Sequence, residues 1–90
     1  MYKSKVWIHK SVEELSNNSG HFWINYTFLD EPKAGDIIKV TNKMAEDIAD
    51  EDLWKREYGP GNYIVQTAAN MFDPKIHDGF SFCVMTLKVE

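Results

Sequence analysis

Five carboxylates fall between Glu46 and Asp52 with no base among them, and Trp54 follows two residues later. Acids at helical spacing stand about 5 to 6 Å apart, and such an array can occupy the arginine and lysine sites of a nucleic-acid-binding protein. An aromatic anchor among rim charges is a common way to build a protein interface. On this reading Glu46, Asp47, Asp50, Glu51 and Trp54 dock against a basic protein partner, itself a nucleic-acid-binding protein. The chain is then a small binding protein, of the kind that phages and mobile elements encode as inhibitors.

A second chemistry is aromatic. Trp7, Trp23 and Tyr26 can line a pocket between sheet and helices, which gives the alternative reading of a small-ligand or nucleotide-binding domain. Trp7 and Trp23 beside Lys3, Lys5 and Lys10 also resemble a base-stacking platform. The order of elements begins like the RNA-recognition fold, but that fold needs aromatic residues on its third strand, and Ile37 to Thr41 has none. The net charge of −4 also opposes phosphate. The aromatics are therefore expected to pack, with no direct nucleic acid contact.

Catalytic and metal chemistry find no anchor. His9, His21 and His77 show no H-x-H, H-x-x-H or H-E-x-x-H spacing, and a second cysteine that would complete a zinc set is missing. His77 next to Asp78 has the residue types of an oriented base, yet neighbours in an extended loop point apart. Cys83 between Phe82 and Val84 reads as a buried packing residue, because an apolar strand disfavours the thiolate. Phosphate-cradling glycine runs and nucleophile elbows are absent. The expectation is a protein that is not an enzyme and takes no cofactor and no metal.

Positioning those residues falls to a chain of 90 residues, 43% hydrophobic, with 10 Lys and Arg against 14 Asp and Glu. That length holds one core, and three Trp, four Tyr and five Phe supply the apolar area to order it. A single thiol suits a reducing compartment, so a cytoplasmic location is expected. No apolar run reaches signal-peptide or membrane-spanning length, so neither export nor a membrane partner is expected. The charge is uneven: residues 1 to 45 carry +1 and residues 46 to 90 carry −5.

Alternation of apolar and polar residues marks strands at Tyr2 to His9 and Phe22 to Leu29, the latter with Phe22, Ile24, Tyr26 and Phe28 on one face. Ser11-Val-Glu-Glu14 is a capping box that starts a short helix, and Asn17-Asn18-Ser19-Gly20 stops it. Ile37 to Thr41 is β-branched and reads as a strand returning antiparallel to its predecessor. Asn42 then caps a helix from Lys43 to about Tyr58, with Met44, Ala45, Ile48, Ala49 and Leu53 on one half. Trp54 falls among the acids. Either that helix is continuous and exposes Trp54, or it breaks at Asp50 and turns Trp54 inward.

Pro60 and Gly61 suit the centre of a type II turn, Tyr63 to Thr67 a strand, and Asn70 to Gly79 a loop. Phe80 to Val89 is apolar on both faces, which places it centrally in the sheet. The expected architecture is one α+β domain, order β-α-β-β-α-β-β, with a mainly antiparallel sheet of about five strands and helices on one side.

Overall fold

A computed structural model describes residues 1–17, 22–73, 75–76 and 78–89. Its strands are β1 (Tyr2–His9), β2 (Phe22–Phe28), β3 (Ile37–Val40), β4 (Gly61–Asn70) and β5 (Phe82–Val89). Helix α1 (Val12–Ser16) follows β1, and α2 (Glu51–Leu53) precedes β4, running into a π-helical turn at Trp54–Tyr58. The fold is broadly α+β and mostly strand.

The five strands form one curled sheet in the order β2-β1-β5-β4-β3. It is mixed: β1 runs parallel to β5, while β1 with β2, β3 with β4 and β4 with β5 are antiparallel. β5 lies at the centre, as its two apolar faces require. β3 does not return against β2. The two strands occupy opposite edges, because residues 35 and 36 are already fastened to β4 through Gly35 N to Val65 O and Val65 N to Asp36 O.

Register assigns the faces. Val6 lies between Ile24 and Val84, Ile8 between Phe22 and Thr86, and Tyr63 between Ile38 and Lys88. These residues share the packed face, where Val6, Ile8, Ile38, Tyr63 and Val84 have no accessible surface. A bulge between Val65 and Thr67 resets the alternation of β4 so that Ala68 faces Val84. On the opposite face only His9 is fully buried among the described strand residues. Its Nδ1 donates to the Thr86 carbonyl at 2.8 Å, and Thr86 Oγ1 donates to the Trp7 carbonyl at 2.9 Å. β1 and β5 are thus stitched by side chains as well as by their ladder. Cys83 belongs to this second face and is half-buried, not the fully buried residue its neighbours suggested.

Local signals set the helices. Ser11 Oγ accepts from Glu14 N at 3.1 Å, as a capping serine should, while Glu14 reaches one residue further back than the usual box and accepts from Lys10 N. The helix ends at Ser16; Asn18, Ser19 and Gly20 of the stop signal lie outside the described residues.

The continuous helix from Lys43 does not form. Residues 42 to 48 take successive turns closed by Ala45 N to Asn42 O, Glu46 N to Lys43 O and Ile48 N to Ala45 O. Thr41 Oγ1, not Asn42, caps the first of them by accepting from Met44 N. Asp50 then begins the true helix, its side chain accepting from Leu53 N at 3.1 Å. Gly59 N closes on Trp54 O, five residues back, which makes the last turn π-helical.

The break buries Trp54 to 2% exposure, stacked on Tyr58 at 6.4 Å with 8° between ring planes. Its indole N–H donates to Asn42 Oδ1 at 3.3 Å, which is the use the fold makes of Asn42. Burying an aromatic of this size contributes about 1.5 to 3 kcal/mol, against the tenths that separate residue types in helix propensity. Packing therefore wins over helical continuity. Met44, Ala45, Ile48 and Leu53 still meet the core while Ala49 is exposed, so the apolar spacing identified most of the inward side of the segment without identifying its conformation. The proposed type II turn is also absent: Gly61 already lies in β4 with φ of 152°, and Gly59, before Pro60, takes positive φ as well, at 70°.

Candidate protein-binding cleft

A cleft of about 470 Å³ opens between β2 and the segment that follows β3. One wall is Phe22, Trp23, Ile24 and Asn25; the other is drawn from Lys43 to Asp50. Buried Phe22 and Ile24 with half-buried Met44 and Ile48 give it an apolar lining, and exposed Glu46, Asp47 and Asp50 oppose one base, Lys43. β2 is a terminal strand, so the wall it contributes is a sheet edge. The turns of residues 42 to 48 matter here: they hold Glu46 and Asp47 at the cleft while Ala45 packs into the core.

Three of the five acid-surface residues thus meet at one site, and two lie elsewhere. Glu51 pairs with Lys55 at 2.7 Å, and that ammonium holds the Glu51 carboxyl below its ordinary range, first by hydrogen bonding and then by charge. It lines a smaller hollow of about 160 Å³ with Asn42, Trp54 and Lys55 among its walls. Trp54 borders that smaller hollow and, at 2% exposure, is no exposed anchor. Trp23 is the aromatic residue that the cleft does present, 39% exposed on β2.

The aromatic trio separates. Trp7 and Trp23 are register partners on the open face, whereas Tyr26 lies on the packed side, its ring 4.8 Å from that of Phe28. They do not converge on one pocket. His21 and His77 lie outside the described residues, and with His77 goes the geometry of the His77-Asp78 pair. Among the described residues no group of three or more His, Cys, Asp or Glu is placed to hold a metal ion. Among the described residues no helix is long and apolar enough to cross a membrane.

Comparison with protein-family models, curated proteins and solved structures finds no match. What the cleft does must follow from its own chemistry.

Sequence reasoning missed the apolar half of the cleft. Phe22 and Ile24 were legible as core residues and Met44 and Ile48 as one side of a helix, but nothing local brings β2 against a segment some twenty residues later. It also missed the polar cluster that anchors the π-helical turn. Tyr58 Oη donates to Glu14 Oε1 at 2.8 Å, Lys10 pairs with Glu57 at 2.7 Å, and Tyr63 Oη donates to the Gly59 carbonyl at 2.9 Å. Lys88 donates to the Tyr58 carbonyl. Burial first, and the Glu14 carboxylate second, push the phenols of Tyr58 and Tyr63 above their ordinary value of 10.

These shifts have a consequence in alkali. A phenol with a raised folded-state pKa contributes stability that is complete below the unfolded value, near pH 10, and is lost as pH rises beyond it. The fold is accordingly expected to weaken above about pH 10. Ultraviolet titration should show two of the four tyrosines ionising only as the protein unfolds. Four phenols titrating together in folded protein would contradict the buried placement.

Proposed function

We propose that this chain is a binding protein that captures a basic, extended segment of a protein partner in the cleft between β2 and residues 43 to 50. The observation that carries the reading is the pairing of an apolar-lined cleft with three carboxylates beside a sheet edge. An arginine or lysine side chain fits both parts, its stem against Ile24, Met44 and Ile48 and its charge on Glu46, Asp47 or Asp50. The edge of β2 offers backbone donors and acceptors to an extended chain, so a captured segment adds to the sheet as a further strand. A partner with such a segment is a nucleic-acid-binding protein, and the chain acts as its inhibitor by covering the basic site. A cytoplasmic setting, in which the Cys83 thiol stays reduced, fits this reading.

The test uses Glu46→Gln with Asp47→Asn, both exposed and neither in an ion pair among the described residues. Asp50 is left intact because it caps α2. Removing two exposed charges should leave the melting temperature nearly unchanged. Affinity for extended arginine-containing peptides should fall about tenfold, and by more at low salt than at high salt. Calorimetric titration that finds equal affinity for the double variant, or equal affinity for glutamate-containing peptides of the same length, would remove the cleft from consideration.

A further inference from the structure

The chain's fourteen acids are absent from the strands: none of β1 to β5 contains Asp or Glu. The open face of the sheet, by contrast, carries Lys3, Lys5 and Lys39. An acidic protein therefore presents one broad surface whose strands hold only positive charge. The net charge that opposes phosphate is an average over strands without acids and the segments between them, where the acids lie.

Aromatic rings are interleaved with those lysines. Trp23 is 39% exposed, and its register partner Trp7 is half-buried. Lys5 Nζ stands 4.5 Å from the Trp23 ring centroid and 5.3 Å from that of Trp7. Phe80 meets Trp23 edge-on at 5.7 Å, and Lys3 Nζ is 5.0 Å from the Phe80 centroid. Two ammonium groups and the exposed Trp23 ring thus form the accessible patch, with half-buried Trp7 beside them and Phe80, buried at 8% exposure, bracing Trp23 edge-on.

We propose that this patch binds an unpaired nucleic-acid strand, with a base stacked on Trp23 and the adjoining phosphates on Lys5 and Lys3. The ligand must carry negative charge and flat apolar groups at short, regular spacing, and a single strand has both. A duplex hides its base faces. Stacking of a base on an indole is stronger than an exposed lysine–indole contact, so a base can displace the Lys5 ammonium from Trp23 and free it for phosphate. The carboxylates that share the cleft with Trp23 repel phosphate there and direct the backbone of the strand towards Lys5 and Lys3. Lys3 and Lys5 lie outside the cleft, while Trp23 borders both sites.

Short fluorescently labelled oligothymidylate and oligouridylate, titrated into the whole chain at low and moderate salt, provide the test, with heparin as a polyanion that has no bases. Binding of either strand is expected, with quenching of tryptophan fluorescence, and the tighter of the two identifies DNA or RNA as the source. Trp23→Ala should weaken it about tenfold. Lys3→Gln with Lys5→Gln should weaken it similarly and flatten its salt dependence. The lysine pair does not line the cleft, so its loss of nucleic acid affinity with retained peptide affinity separates this site from that one. Absence of binding at low salt, or heparin binding as tightly as either strand with Trp23→Ala without effect, overturns the proposal.

Discussion

Trp54→Ala is expected to cost about 3 to 5 kcal/mol of folding stability, read as a shift in the midpoint of urea unfolding. The indole is 2% exposed, stacks on Tyr58 and holds Asn42 across the turns that form the cleft wall. Its removal leaves a hole under the π-helical turn and frees the first of those turns together. Trp54→Phe should cost less, since it keeps a stacked ring and gives up the bond to Asn42 and part of the indole's volume. A loss below about 1 kcal/mol for the alanine variant would show that residues 50 to 58 do not pack on the sheet.

Phe28→Ala should be comparably severe, again about 3 to 5 kcal/mol. An edge strand is ordinarily half-covered, yet Phe28 is 8% exposed and belongs to the core cluster. Tyr26 meets its ring at 4.8 Å, and its register partner Tyr2 packs edge-on to Phe82 at 5.7 Å. Thr27, its exposed neighbour on the other face, provides the internal comparison: Thr27→Ala should stay within about 0.5 kcal/mol. Equal costs at the two positions would mean that the faces of β2 are not as register assigns them.

The strands were legible because period-two alternation is a local property, and β1, β2 and β5 each begin within two residues of the expected place. The central position of β5 was legible for the same reason, since only a strand flanked on both sides needs Cys83, Met85 and Leu87 opposite Phe82, Val84 and Thr86. Strand partnership was not. Nothing between Leu29 and Asp36 announces that β3 crosses to the far edge, because pairing is decided by contacts with β4 that lie well ahead in the chain. The segment after Asn42 failed differently. Its apolar spacing is compatible with a helix or with successive turns, and the decision rests on Trp54, whose burial no window of residues 43 to 49 contains. The acids of the candidate site could therefore be read directly, whereas the cleft they border could not.

The parallel pairing of β1 with β5 joins residues about eighty positions apart, such as Val6 with Val84. Each of the two outer pairs, β1 with β2 and β3 with β4, is closed by shorter loops, but neither has a complete inner neighbour until residues 82 to 89 arrive between them. The entropy of closing that long loop is therefore met before the central strand returns any contact energy. High contact order of this kind places folding towards the slow end for a domain of this size. During that interval, the edges of β1 and β4 that β5 will cover remain open templates for strands of other chains. The feature that makes β5 the centre of the finished sheet is thus also what leaves the unfinished one most exposed to misassembly.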